Sequence, residues 1–500
     1  MADTKREIER KYEATTDTRV PDLTRVRGVS RVVDAGTADL DAVYYDTPDL
    51  RLAAHSLTLR RRTGGGDAGW HLKLPVAPGV RDEIQAPLAD GVPRGLANLV
   101  RARTRGEDLV PVVRLRSSRG VRHLVDADGA LLAELSTDTV RAERLTDGGG
   151  TAEWAEIEVE LADGGDPALL DAVDKRLRKA GLRPAELPSK LARALEETGT
   201  PPRTAEPPGR ETAGDHVLAH VREQMAALLD YDAAVRRDQP DSVHQMRVAT
   251  RRLRSAFRSC RKVLDRSATD PVAGELRWLA GELGIDRDQE VLEERLRTAL
   301  DTVPRTLRLG PVRGRLRRWS ASRRAGSRGR TLKVLDSTRY LALLGALDAL
   351  LADPPLRPAA AKDPSRVLAK AVLKDYARVA ARVERALSMD PGQDRDVALH
   401  EARKAAKRAR YAAELARPAL GRPAKRLAKR MKAVQRVLGD HQDSVVAREA
   451  LRDLAIQSHA AGESAFVWGL LYGREEAAGA ARERELPEVW GRVSVRGLEA

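Results

Sequence analysis

The sequence predicts a multidomain chain, a closed antiparallel β-barrel followed by an all-helical domain. Three observations carry this. Between residues 5 and 161, short segments alternate charged and apolar side chains at period two, as strands with two different faces do. The stretch GTPPRTAEPPGRETAG at 199–214 breaks every periodicity and reads as a linker. Beyond it, long Ala/Leu/Arg-rich stretches with few breakers read as helices, and one basic pattern occurs twice.

The strands come in order. In EIERKYE, Glu7, Glu9 and Lys11 share one face, while Ile8, Arg10 and Tyr12 share the other. LTLRRR sets Arg60 and Arg62 against Leu57, Leu59 and Arg61; WHLKL sets His71 and Lys73 against Trp70, Leu72 and Leu74. RDEIQ opposes Arg81, Glu83 and Gln85 to Ile84, and VVRLR opposes Arg114 and Arg116 to Val113 and Leu115. ELSTD aligns Glu134, Ser136 and Asp138, and EIEVEL aligns Glu156, Glu158 and Glu160. A solvated strand face mixes polar types at random. Here the faces segregate by sign, acidic at both ends of the segment and basic between. Closing the barrel lays EIERK beside EIEVEL and gathers carboxylates opposite Arg and Lys across a lumen. Grouped carboxylates are hard-oxygen ligands for Mg²⁺ or Mn²⁺. Arg forks and Lys point charges match phosphate oxygens. Metal beside a cationic wall is what phosphoryl transfer requires. On this reading Glu7 and Glu9 hold metal, and Lys11 holds phosphate.

The ExExK strand, LTLRRR, WHLKLP, EIEVEL and the later SKLARAL together resemble the CYTH domain, the triphosphate tunnel metalloenzyme family, over about residues 5–197. That family includes class IV adenylate cyclases and thiamine triphosphatases. The resemblance implies an eight-stranded antiparallel tunnel with flanking helices that binds triphosphate with a divalent metal. By that resemblance, Glu7, Glu9, Asp138, Glu156 and Glu158 fall on metal positions. Lys11, Arg60, Arg62, Lys73, Arg114, Arg116 and Lys190 fall on phosphate positions, and Glu7, Glu9 and Lys11 form the catalytic strand. Thr58 departs from the apolar run common there. Aromatic residues are scarce and Trp70 falls on the outward face, so nothing selects adenine or thiamine. The expected substrate is unadorned triphosphate or the end of a polyphosphate chain.

In the second half, VHQMRVATRRLR (243–254) matches LHEARKAAKRAR (399–410) at an offset of 156 residues. LGIDRDQEVL (283–292) matches LGDHQDSVVA (438–447) at an offset of 155. Two segments in the same order at nearly equal offset indicate an internal duplication. His244, Arg247, Arg251, Arg254 and Arg258 lie on one helix face, as do His400, Arg403, Lys407 and Arg410. Lys425, Lys429, Lys432 and Arg436 form another stripe. Helix faces in water mix signs to relieve repulsion three and four residues apart; uniform stripes, twice, call for an anion. These motifs resemble the CHAD domain, an α-helical domain named for conserved histidines, over about residues 212–495. The resemblance implies two pseudo-repeated four-helix bundles with a basic groove for inorganic polyphosphate. His244, Arg247, Arg251, Arg254, His400, Arg403, Lys407, Arg410, Lys432 and Arg436 would line it. Asp288 and Asp443 are expected to brace arginines rather than meet ligand.

Composition agrees. A hydrophobic fraction of 42% supports buried cores, and the single cysteine, Cys260, excludes a disulfide framework. Residues 1–200 hold 31 basic against 34 acidic residues, while the rest hold 58 against 40, so the basicity belongs to the second part. Such a field favours polyanions. No apolar run reaches bilayer length and the first residues lack a signal-peptide core, so a soluble cytoplasmic chain, associated with polyphosphate granules, is expected. The expected boundaries are 1–198 for the tunnel, 199–214 for the linker and 215–495 for the helical domain, with repeats at about 215–350 and 364–495. The basic, Gly/Ser-rich stretch 306–330 reads as a loop, and 351–364 as a second linker. The function expected is metal-dependent hydrolysis of triphosphate or polyphosphate ends, with polyphosphate held by the helices. The rivals are a non-catalytic polyphosphate scaffold, adenylate cyclase and sequence-independent nucleic-acid binding. No membrane partner and no specific nucleic acid is indicated.

Overall fold

The computed structural model describes residues 4–146, 148–199, 211–324 and 327–498, with backbone alone at 285–287, 322–324 and 327. The chain divides into two compact units, Met1–Glu206 and Pro207–Ala500. Most of the expected linker, 200–210, lies outside the described residues.

The first unit runs β1 (Thr4–Ala14), β2 (Arg31–Asp46), β3 (Thr58–Thr63), β4 (Gly69–Ala77), β5 (Val80–Ala86), α1 (Arg94–Thr104), β6 (Val110–Val125), β7 (Leu131–Arg144), β8 (Gly150–Leu161), α2 (Pro167–Lys179), β9 (Arg183–Pro184) and α3 (Lys190–Glu197). Its strands pair in the order β5-β4-β3-β2-β6-β7-β8-β1, and β1 also pairs with β5. That last pairing closes an eight-stranded antiparallel barrel; the two-residue β9 only adds to the end of β1. The first and last long strands are neighbours, with Glu9 opposite Glu160 and Lys11 opposite Glu158.

Alternation gives each strand two environments. Outside, Tyr12, Leu135, Ile157 and Val159 pack beneath Leu170, Val173 and Leu177 of α2. Each such buried side chain contributes about 1.5–3 kcal/mol relative to exposure. Inside, one end of the lumen is filled. Ala42, Tyr44, Val113, Leu115, Val140 and Ala142 meet Leu191, Ala194 and Leu195 of α3. Ser189 caps α3 by accepting from the Ala192 amide, which fixes where the helix starts and places Lys190 at its first turn.

The second unit is helical: α4 (Ala213–Arg236), α5 (Ser242–Ser259), α6 (Arg266–Glu282), α7 (Gly284–Asp301), α8 (Val312–Arg324), α9 (Ser327–Leu335), α10 (Thr338–Ala352), α11 (Pro364–Leu387), α12 (Gln393–Leu420), α13 (Arg422–Ala460) and α14 (Phe466–Gly491). A capping box at Thr212 and Asp215 starts α4. The duplicated stripes lie on α5 and α12, which pack on each other. The second repeated motif falls at the α6–α7 junction in the first copy and inside continuous α13 in the second.

The 306–330 stretch is not a loop. Val312, Leu316 and Trp319 recur at helical spacing and bury against α7, α13 and α14, so packing overrides the Gly/Ser/Arg composition. That core takes helices from both halves of the duplication, so the two halves share a core there. The expected second linker does connect α10 to α11. It is fastened: the Gly214 amide donates to the Ala360 carbonyl at 2.8 Å and the Asp265 amide to the Pro355 carbonyl at 2.8 Å. No helix among the described residues is long and apolar enough to cross a membrane.

Candidate functional site

The barrel encloses a cavity of about 440 Å³. Its lining alternates in sign at the scale of single side chains. Lys73 Nζ lies 2.6 Å from Glu7 and 3.7 Å from Glu83. Lys11 bridges Glu9, at 3.2 Å, and Glu158. Arg119 makes a fork on Asp138, at 2.8 and 2.7 Å, and reaches Glu158 at 2.9 Å. Arg60 and Arg62 stand on the opposite wall, with Arg60 near Glu83 and Arg62 paired with Asp67. Lys5 and Glu160 pair nearby at 2.7 Å. With α3 filling one end, the lumen has its mouth at the other, around Ala38, Gly65, Gln85 and Leu131.

The acidic side is tightest around Lys190. Its Nζ lies 3.0 Å from Asp138, 2.6 Å from Glu156 and 2.8 Å from Glu158. Ligand atoms of those three carboxylates all lie within 4.8 Å of one another. An ammonium at the centre of three hard oxygen donors occupies the position a divalent cation would, and the donor set fits Mg²⁺ or Mn²⁺. Glu7 and Glu9 are not in that group; Lys11 links Glu9 to it through Glu158.

Charges follow from this placement. Burial raises Glu7, the Lys73 charge opposes it, and Glu83 and Glu160 add like charge, leaving its carboxyl at about 7. Burial also acts upward on Glu9 and Glu158, but the lysines and arginines beside them hold both below the ordinary range. Lys190 is held above its usual value because Glu158, Asp138 and Glu156 outweigh the cost of its burial. Crowding does the reverse to Arg62: burial, then Arg60 and Arg119, pull it down to about 9.

Two expected phosphate ligands stand elsewhere. Arg114 and Arg116 point away from the lumen and gather on Asp41, at 2.5 and 3.9 Å. The alternation was read correctly, but the apolar face of β6 is the inward one there, because Val113 and Leu115 belong to the plug under α3. Two steps farther along that inward face stands Arg119, which lines the cavity. Arg81 and Glu83, read as a strand face but not as site residues, line it too.

In the helical unit, the faces of α5 and α12 place Arg247, Arg251, Arg403 and Lys407 within electrostatic reach of one another. The duplication repeats in atomic detail. Arg247 Nη1 donates to Asp288 at 2.8 Å and to the Gly284 carbonyl at 3.4 Å; Arg403 Nη1 donates to Asp443 at 3.5 Å and to the Gly439 carbonyl at 3.4 Å. Both glycines pass close to those guanidinium groups. Burial, then Arg403 and Arg251, bring Lys407 down to about 7. The Nε atoms of Arg247, Arg254 and Arg403 and the Nδ1 of His400 are buried without hydrogen-bond partners.

The remaining expected groove residues are dispersed. His244 lines a different cavity with Asp238, Asp241 and Glu290. Arg410 turns onto Glu414 at 3.1 Å. Lys432 and Arg436 are exposed, with Arg436 3.5 Å from Glu485. A second group with metal-ligand spacing, Asp396, His441 and Glu483, has its outer carboxylate oxygens already held by Arg448 and Arg395, each at 2.9 Å. Its charge is balanced within the protein.

Comparison with known proteins follows the same division. The CYTH domain model matches residues 5–194, and the CHAD domain model matches residues 219–452. Two uncharacterized proteins from strains of Mycobacterium tuberculosis are 40% identical over 496 residues, covering 96% of this chain and 94% of theirs. Among solved structures, PptA from Streptomyces chartreusis is 22% identical, with a TM-score of 0.48, over 56% of this chain and 100% of its own. The CHAD domain from the plant Ricinus communis is 25% identical, with a TM-score of 0.44, over 58% of this chain and 92% of its own.

Proposed function

The chain belongs to the CYTH family and carries a CHAD domain after its barrel, and on that premise we propose that the lumen hydrolyses triphosphate or the end of a polyphosphate chain, while the helical unit binds inorganic polyphosphate. The observation that supports this most directly is the interleaving of carboxylates and cations in a lumen with one mouth. Asp138, Glu156 and Glu158 would hold Mg²⁺ or Mn²⁺, with Glu7 and Glu9 on the adjoining wall. When bound, the cation supplies charge neutralisation at the phosphoryl oxygens and lowers the pKa of water. Lys11, Arg60, Arg62, Lys73, Arg119 and Lys190 bind and orient the phosphates, the arginines by forks. A linear substrate enters end first, because α3 closes the other end.

The helical unit contributes a different chemistry. Arg247, Arg251, Arg403 and Lys407 crowd together, with Asp288 and Asp443 as the carboxylates facing them among the described residues. An anion with repeating charges relieves that crowding, and the duplicated spacing suits a repeating ligand.

The test is phosphate release by the full chain from tripolyphosphate, long polyphosphate and ATP, with Mg²⁺ or Mn²⁺ and with chelator. Release from the inorganic substrates that chelator abolishes is expected. Tight binding without release would make the protein a scaffold, and cyclic nucleotide from ATP would make it a cyclase; either overturns the hydrolase reading.

A further inference from the structure

Along the basic stripe, the two copies differ in the sign of charge at one position, Arg258 against Glu414. At the offset of 156, Arg254 corresponds to Arg410, and Arg258 corresponds to Glu414. In α12, Glu414 accepts from Arg252 at 3.1 Å and pairs with Arg410 at 3.1 Å. The far end of the second stripe is thus neutralised inside the protein. In α5, an arginine stands where that glutamate would be. Arg254 Nε is buried without a hydrogen-bond partner. Burial, then Arg258, Arg277 and Arg251, bring its guanidinium down to about 10.

Beside this end of α5 lies a cavity of about 370 Å³ between α5, α6, α11 and α12. Its floor is fixed. Asp375, 2% exposed, accepts from Ser259 at 2.5 Å, Arg378 at 2.6 Å and Arg408 at 2.7 Å. On the rim, Arg266 is matched by Asp270 at 2.6 Å. Arg258, Arg261, Arg277 and Lys374 also line the cavity and form no ion pair among the described residues. A built floor with a rim of unmatched cations is a receptor for several phosphoryl groups at once.

We propose that this basin is a second oligophosphate site, joined to the α5–α12 groove through Arg254, and that it takes the end of a polyphosphate chain whose interior lies along the groove. The proposal rests on the groove reading and extends it: the duplicated stripes are not equivalent, and the bound chain leaves toward α6 and α11 because Glu414 blocks the corresponding exit at α12. From Arg247 to Arg258, α5 advances about 16 Å. Three linked phosphates are far shorter than that, so only a longer chain engages groove and basin together.

The experiment is equilibrium binding of tripolyphosphate and of long-chain polyphosphate to the full chain, in chelator so that the barrel is free of divalent metal. Two basin variants are compared. Arg258→Glu imposes the residue of the second copy; the other combines Arg261→Ala, Arg277→Ala and Lys374→Ala. Both change exposed side chains and leave Asp375 in place. Each should lose about tenfold or more in affinity for the long chain, the worth of one strong charged contact, and lose less for tripolyphosphate, which cannot span groove and basin and which the groove still holds. Arg313→Ala, Arg317→Ala and Arg318→Ala on α8 serve as the control matched in charge to the triple variant, and Arg313→Ala with Arg317→Ala as the control matched to Arg258→Glu. Basin variants no weaker than their controls would overturn the proposal. So would an equal loss for a single-stranded RNA of matched charge, which would make the basin a general polyanion surface. A separate groove variant, Arg247→Ala with Arg251→Ala and Arg403→Ala, tests the underlying reading. If it binds long polyphosphate normally, the groove reading falls, a result distinct from silence of the basin variants.

Discussion

Replacing Lys190 with methionine should destabilise the barrel and make its stability depend on divalent cation. The ammonium sits 2.6–3.0 Å from three carboxylates whose side chains are 0–12% exposed. Without it, Asp138 keeps Arg119 and Glu158 keeps Arg119 and Lys11, but Glu156 keeps, as its hydrogen-bond donor among the described residues, the Trp154 indole N–H at 2.7 Å. Breaking a buried pair by removing one partner costs about 3–5 kcal/mol. For a unit of this size that is a fall of roughly 6–20 °C in melting temperature. The pH dependence has a definite sign. Lys190 helps hold Asp138 and Glu158 below their ordinary values, so its stabilisation is present above the ordinary carboxylate range and is lost as pH falls through the lowered values. In the variant those carboxyls rise and take up protons sooner, so the gap from wild type should narrow as pH is lowered from neutrality. Millimolar Mg²⁺ or Mn²⁺ should raise the variant's melting temperature more than the wild type's, because no ammonium has to be displaced. Thermal unfolding followed by circular dichroism, with chelator or metal at two pH values, measures all of this. A melting temperature in chelator within about 2 °C of wild type, or no difference in metal response, would refute the placement of the cation site.

Glu9→Gln should fold normally and lose about a hundredfold or more in metal-dependent phosphate release, since one charge beside the proposed metal-binding wall disappears; near-normal turnover in a folded variant would remove Glu9 from the site. Arg247→Ala, Arg251→Ala and Arg403→Ala together should weaken polyphosphate binding far more than the same charge change at Arg313, Arg317 and Arg318, and equal losses would mean that the stripe is only a solvated face. Lys407 sits at about 7 in the free protein, well below its usual value, because of burial and then Arg403 and Arg251. A bound polyanion raises it again, so binding takes up a proton and affinity should fall as pH rises from about 7 to 9. Lys407→Arg should flatten that pH dependence, and an unchanged profile in the variant would exclude Lys407 as its source.

The sequence made parts of this legible and hid others for identifiable reasons. Strand period reports which residues share a face, and it grouped Glu7 with Glu9 and Lys11, and Arg60 with Arg62, as the barrel does. It does not report which face turns inward. On β6 both faces carry arginine, and the choice is made by Leu191, Ala194 and Leu195 of α3, remote in sequence, which fill the lumen against Val113 and Leu115. Counting on from Leu115 by twos reaches Arg119, so that signal was present once the inward face was known. At 306–330 the Gly, Ser and Arg content outvoted three apolar residues, although Val312, Leu316 and Trp319 were enough to seat a helix against α13 and α14. The duplication reads Asp288 and Asp443 as bracing arginines, and the structure shows which: Asp288 pairs with Arg247 and Asp443 with Arg403. The shared pattern directed attention to what the copies have in common, and the informative position was one where the stripe reverses its charge, Arg258 against Glu414.

The two units pose opposite electrostatic problems, and this separates their ligands. In the lumen, carboxylates and cations are already matched and buried together. A phosphate chain entering alone would face Glu7, Glu9 and Glu158 and would have to strip Lys11, Lys73 and Lys190 from them. Entry is favourable only when a cation arrives for the carboxylates as an anion arrives for the lysines, so metal and phosphate should bind the barrel cooperatively. The α5–α12 face carries surplus positive charge without such matching. An anion enters there alone and releases the counterions it replaces, so binding should weaken steeply with salt and be indifferent to chelator, by the same counterion-release physics that governs binding to nucleic-acid phosphates. On the proposed reading, chelator should therefore silence the barrel and spare the helices, while added salt should weaken the helices first. The two proposed activities should be separable in one intact chain.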